Sequence, residues 1–313
     1  MNWKIKGVGQ LVLSHFPCPA TLNYWCQKYI TKAHEDYAEL VANRFSKARW
    51  FAAQFERSGE RPLDQAEFYE FGAGWNLAGP LALYCLGVNR QVVVDIMPCA
   101  RLELVNAAVA EMNRLPDAAP RRPGRPLQSL AELEERFGII YRAPVDARRT
   151  EIPDASIDCI TSTYTLEHIP ASDIALLLTE CRRILRPAGV MLSMIDYQDH
   201  YSYRDSRISV YNFLQYSHSK WRWFNSSLHY QNRLRHCEYR QMFTRAGFAV
   251  LSEDLESPSP QLAERLKSVR LSPEFRSFSF AELAVLGSQM VCRGEAVISV
   301  DGHSTDEPAV SAA

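Results

Sequence analysis

Five short segments carry residues able to grip a small polar ligand or move a proton. Glu70-Phe-Gly-Ala-Gly-Trp-Asn76 holds two glycines, Gly72 and Gly74, which let the backbone turn tightly and come close to a ligand. The helix expected behind them offers unpaired N–H groups to an anion such as a carboxylate. Asp95 follows at the spacing of an acid that accepts both O–H groups of a ribose diol. Asp146 lies in Ala-Pro-Val-Asp-Ala147, and Thr163-Tyr-Thr-Leu-Glu-His168 follows. His200, in Asp196-Tyr-Gln-Asp-His-Tyr201, joins His168 as a group whose charge changes near neutral pH. The glycine turn and Asp95 alone suit a dinucleotide as well as another adenosyl ligand, and a tight turn without ligand is a third reading.

The elements that must position these residues alternate. Strands are predicted at 67–71, 91–95, 138–142, 156–162, 190–195, 248–251 and 288–293, with helices at 77–86, 101–112, 173–185, 237–246 and 280–286 between them. Gln91-Val-Val-Val-Asp95 is a continuous apolar run, as suits a parallel strand buried on both faces. Ile174, Leu177, Leu178, Cys181, Ile184 and Leu185 make one apolar stripe of a helix, closed by Pro187-Ala-Gly189. Ser129-Leu-Ala-Glu132 reads as a capping box for a short helix to Phe137. The expected fold is α/β: an open, seven-stranded, mostly parallel sheet with helices on both faces. Ligands then bind beyond the carboxyl ends of the strands, which is where the segments above lie.

Around this domain, expected at 63–300, stand two additions. Residues 1–62 form a helical extension, with a long helix from Tyr24 to Phe55. Near its start Ile5, Val8, Val12 and His15/Phe16 share a face expected to dock on the protein. The stretch is too broken for a good signal peptide. Residues 197–235 form a cap insert rich in aromatic and basic residues. Its plain reading is a small cap with an aromatic core; the sharper one is an acceptor pocket of stacking rings and anion-binding arginines. A polar tail, 301–313, is expected to be disordered.

The series Asp146-Ala147, Pro153-Asp-Ala-Ser-Ile-Asp158, Leu166-Glu-His168 and Arg183-Ile-Leu-Arg-Pro-Ala-Gly189 resembles the class I S-adenosylmethionine (SAM)-dependent methyltransferases, in the subgroup called methyltransferase type 11. The resemblance is good over about 66–195 and loose over 237–293. It implies a Rossmann-like domain with SAM as cofactor. Glu70, Gly72 and Gly74 would hold its methionine end, Asp95 its ribose, and Ile96 would flank adenine. Asp146 would accept from the adenine amino group beside Ala147, with Thr163 and Tyr164 under the methionine part. Asn76 replaces a frequent third glycine and Ala188 the first glycine of Pro-Gly-Gly.

A sulfonium methyl is already activated, so the protein mainly aligns the acceptor with it. A hydroxyl acceptor also needs a general base, for which His200 and His168 are the candidates. Asp158 precedes its strand and is read as structural. A small-molecule or glycan hydroxyl is the expected acceptor. The alternatives are an RNA methyltransferase and a nicotinamide-dependent oxidoreductase, the latter leaving Asp146 and Leu166-Glu-His168 unexplained. With a formal charge of -1 over 313 residues, no global field draws nucleic acid, so no nucleic-acid partner is expected. No apolar run reaches the ~18 residues of a membrane span. The eight cysteines include no C-x-x-C pair; they are read as free thiols of a cytoplasmic protein, with no metal site expected.

Overall fold

The computed structural model describes residues 2–15, 37–115 and 119–295. Among the described residues, two helices precede the sheet: α1 (Trp3–Leu13) and α2 (Tyr37–Ser58). Then come β1 (Glu67–Phe71), α3 (Ala78–Leu86), β2 (Arg90–Val94), α4 (Leu102–Arg114), α5 (Glu132–Phe137), β3 (Ile139–Arg142) and β4 (Ile157–Thr163). The chain continues through α6 (Ala171–Ile184), β5 (Leu185–Asp196), α7 (His218–Trp221), α8 (His236–Arg245), β6 (Phe248–Glu256), α9 (Pro260–Lys267), α10 (Phe280–Ala284) and β7 (Gly287–Gly294).

The seven strands form one sheet in the order β3-β2-β1-β4-β5-β7-β6. β1 pairs in parallel with both β2 and β4, and β7 runs antiparallel to β5 and β6. The strand order therefore reverses between β1 and β4, and the crevice that opens there lies beyond their carboxyl ends.

Apolar periodicity decides which helix covers which face. Val41, Phe45, Phe51 and Phe55 of α2 pack with Leu81, Val105 and Val109 of α3 and α4 over Phe68 and Val93. On the other face, Ile174, Leu177, Leu178 and Cys181 of α6 and Phe243 of α8 pack over Tyr69, Ile160 and Met191. All seven residues of β4 are buried, as a central strand covered on both faces must be. Each buried Leu, Ile, Val or Phe contributes about 1.5–3 kcal/mol.

A third core, built on the cap insert, joins Trp3 to Tyr201, Tyr211, Phe213 and Trp221. The insert's aromatic residues thus mostly make a core of their own. Arg233 donates to the carbonyls of Phe213 and Tyr216, and the fully buried Arg235 donates to those of Tyr197, Leu283 and Val285. Arg207 pairs with Asp205. These three arginines hold the cap's backbone and carboxylates together, which favours the plain reading of the insert.

Several local expectations are corrected. The face of α1 formed by Ile5, Val8 and Val12 points outward, and Trp3, Gly7 and Gln10 are buried instead. Trp3 offers more apolar area than any residue of the predicted face, and it sits 4.8 Å from the Phe224 ring and 5.4 Å from that of Tyr201. A side chain at Gly7 would meet the Tyr201 hydroxyl at 2.9 Å, so α1 lies closest where it has no side chain. The capping box at Ser129 does not form: Glu132 accepts from the Gln128 N–H and pairs with Arg125 and Arg136. Pro187-Ala-Gly189 does not close a helix. α6 ends at Ile184, and these residues carry a bulge early in β5. Helix α9, capped by Ser259 with Pro260 at its start, stands where no helix was expected, and β6 runs to Glu256 rather than Leu251. The predicted first part of the 24–55 helix and the tail at 301–313 lie outside the described residues.

Candidate functional site

The crevice begins at the turn after β1. Gly72 has φ +72° and Gly74 φ +75°, backbone that a residue with a side chain adopts only with strain. A Cβ on Gly72 would also stand 2.5 Å from Thr165 Cγ2, so the turn is pressed against the segment after β4. Asn76, where the resemblance suggested a glycine, accepts the Ala78 N–H at 3.0 Å and so satisfies a free donor at the start of α3.

Across from this turn stands Asp95, at the tip of β2. Its Oδ2 accepts the Gly74 N–H at 3.4 Å. Burial pushes its carboxyl up, and the N–H groups of Gly74, Met97 and Ile96 oppose that shift. Glu70 is buried beneath the turn, where burial pushes its carboxyl up to about 7; Asp95 adds to the rise and Arg44 of α2 counters it.

Gly72, Asp95, Ile96, Asp146 and Ala147 line a common cavity of about 280 Å³, with Thr165 and His168 on its far wall. Larger cavities lie elsewhere on the surface, one beside α8 and one near α5. They contain none of the residues that the sequence singled out. Ile96 is 64% exposed, an apolar side chain left uncovered beside two acids. Asp146 is in place but engaged: Arg148 binds it through Nε and Nη2 and also reaches Asp173. The side-chain hydrogen bond from Arg148 holds the Asp146 carboxyl below its ordinary range.

A second group of polar residues continues from this cavity, after β4 and β5. Tyr164 has φ +53°, and the Lys47 ammonium of α2 sits 4.3 Å above its ring. Burial, then Arg44, pull the Lys47 ammonium down to about 8, while Asp196 and Glu167 oppose the shift. The His168 and His200 rings are 5.0 Å apart. His168 Nδ1 lies 2.7 Å from the Tyr230 carbonyl, and His200 Nε2 lies 3.2 Å from Asp196 Oδ2. Both partners only accept, so each of these nitrogens donates and the other ring nitrogen keeps its lone pair. Tyr203 donates to the same Asp196 oxygen and stacks on His200. Burial acts against the Asp196 charge, but bonds from His200 and Tyr203 hold its carboxyl below the ordinary range. Burial, with His200 close by, pushes the His168 imidazolium down.

Gly72, Asp95, Ile96, Asp146, Ala147 and His168 are thus brought to one cavity. Gly74 lies just behind it, bonded to Asp95, and Glu70 is buried beneath the turn. Thr163 is buried in β4, while Tyr164 and His200 belong to the second group. Asp158 is at the other, amino-terminal end of β4, accepting the Glu67 N–H and pairing with Arg186. Sequence reasoning missed Lys47, Glu167, Asp196 and Tyr203. The first has no signal near it, whereas the others lie inside segments that were already singled out.

Residues 127–193 match the family described as methyltransferase domain. That span contains the whole series from Asp146 to Gly189. This part of the chain is similar to a class I SAM-dependent methyltransferase domain. SAM is the cofactor of such a domain, and the glycine turn, the paired acids and the uncovered Ile96 fit an adenosyl ligand.

Similar solved structures are distant. A candidate sarcosine dimethylglycine methyltransferase from Galdieria sulphuraria is 19% identical, with 80% of this chain and 86% of that one covered at a TM-score of 0.44. A SAM-dependent methyltransferase from Methanosarcina mazei is 13% identical, covering 77% and 97% at 0.43. The [4+2]-cyclase SpnF is 14% identical, covering 80% and 81% at 0.46. Likenesses this weak say nothing about the reaction. No curated protein matches the chain. Among the described residues, no helix of this methyltransferase is long and apolar enough to cross a membrane.

Proposed function

We propose that this methyltransferase moves the SAM methyl group to a hydroxyl of a small-molecule or glycan acceptor in the cytoplasm, with no nucleic-acid partner. SAM supplies an activated methyl on a sulfonium. Asp95 accepts from the ribose diol, Ile96 flanks the adenine and Asp146, beside Ala147, receives its amino group at the oxygen edge that Arg148 leaves open. Gly72 and Gly74 let the chain pass close to the methionine end, with Glu70 behind them and Thr163 and Tyr164 below. The domain is read as 63–300, with 1–62 and the 197–235 insert as its covers.

The observation that carries the acceptor reading is the His200–Asp196 pair. Its carboxylate fixes the imidazole tautomer, which leaves Nδ1 as the base for a hydroxyl proton. His168, next to it on the cavity wall, is the second candidate base. The six described cysteines are free, which suits a reducing compartment.

The test is calorimetric titration of the purified chain with SAM, followed by transfer of labelled methyl from SAM into fractionated metabolites and glycans. Micromolar SAM binding and label in an ether linkage support the reading. Label in RNA, or binding of NAD(P) in place of SAM, overturns it.

A further inference from the structure

Glu167 follows β4 in Leu166-Glu-His168 and is 1% exposed. Neither of its carboxylate oxygens has a hydrogen-bond partner. Burial pushes its carboxyl well above the ordinary carboxylate range, and the N–H groups of Glu167 itself and of Asp196 oppose that shift from nearby. A buried carboxylate left so costs several kcal/mol unless it is protonated or meets a cation.

What it meets is two imidazoles. One donor atom from each of Glu167, His168 and His200 lies within 4.8 Å of the other two. His168 and His200 each turn one nitrogen to an oxygen acceptor, Tyr230 O and Asp196 Oδ2. Such an outer bond fixes the ring and aims the remaining lone pair, as it does for histidines that bind metals. The cluster therefore brings one carboxyl group and two imidazoles together with no hydrogen bond to the carboxyl.

We propose that Glu167, His168 and His200 bind one divalent transition ion at the acceptor side of the cavity. Two imidazoles and one carboxylate select an ion of the manganese-to-zinc series over magnesium or calcium, which prefer oxygen donors throughout. Three protein ligands leave open positions. Resting on the methyl-transfer reading, these would take the acceptor oxygen and ease loss of its proton to solvent or to a nearby base. With the ion bound, the His200 Nδ1 lone pair ligates it, which replaces the direct base role given to that nitrogen above, and the acceptor proton passes to solvent.

The test uses the untagged full-length chain, stripped by chelator and titrated with Co2+ by calorimetry and visible absorption. SAM affinity and thermal melting are measured on the same samples. One Co2+ per chain is expected, with affinity at least about 10-fold weaker in Glu167→Gln and melting still cooperative. His200→Ala, measured alongside, should show a comparable loss and change the Co2+ ligand-field band. Equal uptake by the wild type and both variants overturns the site, as does no uptake by a wild type that binds SAM normally. Uptake with no SAM binding keeps the ion site and overturns the methyl-transfer reading instead.

Discussion

Gly74 donates its backbone N–H to Asp95 Oδ2 at 3.4 Å, so the glycine turn after β1 and the acid after β2 are tied across the mouth of the cavity. On the proposed reading, removing the acid removes both a ligand contact and a brace of the turn. Asp95→Ala should weaken SAM binding by roughly 10- to 100-fold, the worth of hydrogen bonds to a charged group. Circular dichroism and melting should stay near wild type. Near-normal SAM affinity in a calorimetric titration would discredit Asp95 as the ribose-binding acid.

Gly72→Ala tests the turn itself. The backbone there has φ +72°, and the new methyl would press on Thr165 at 2.5 Å. A loss of about 1–3 kcal/mol in chemical denaturation is expected, with weaker SAM binding because the turn must shift. A variant as stable as the wild type would show that the turn is not under this constraint.

His200→Ala should reduce turnover by about 10²- to 10⁴-fold while SAM affinity stays within about 3-fold, because His200 lies outside the cavity lined by Asp95, Ile96 and Asp146. Single-turnover methyl transfer to the acceptor found by labelling separates the two quantities. Unchanged turnover would make His200 a structural residue.

Glu70 gives the stability a pH dependence of known sign. Burial raises its carboxyl from 4.5 to about 7, so the folded chain holds a proton that the unfolded chain releases between those values. Its contribution is complete below 4.5 and is lost as pH rises through about 7. Glu70→Gln has no such proton to lose. Relative to the variant, the wild type should therefore lose on the order of 2 kcal/mol between pH 4.5 and pH 8. His168 and His229 work the other way. Burial pushes both down, His229 to about 3, so their contributions are lost as pH falls below 6.5. Comparing wild type with variant at each pH cancels them. A constant difference in urea midpoint from pH 4.5 to 8 would show that Glu70 is not held protonated.

Much of the architecture was legible because it is written in short-range pattern. The apolar run before Asp95 and the stripe from Ile174 to Ile184 needed only strand and helix periodicity. The acids and glycines were legible because a parallel sheet puts the residues after its strands on one rim. Where competing surfaces decide, the pattern misled. Ile5, Val8 and Val12 satisfy a helical face, yet Trp3 beside a bare Gly7 makes the better contact with Tyr201 and Phe224. The insert's arginines looked ready for an anion, but Arg233 and Arg235 found backbone carbonyls first.

The sequence by itself determined the alternating elements, the glycine turn and the order of the acids, since each follows from residues a few positions apart. Only the tertiary structure decided that Lys47 stands over Tyr164, that Arg148 occupies Asp146, and that the Glu167 carboxylate is buried against two histidines without a donor. Those relations depend on which distant side chains share a low-dielectric space, and no periodicity along the chain encodes that.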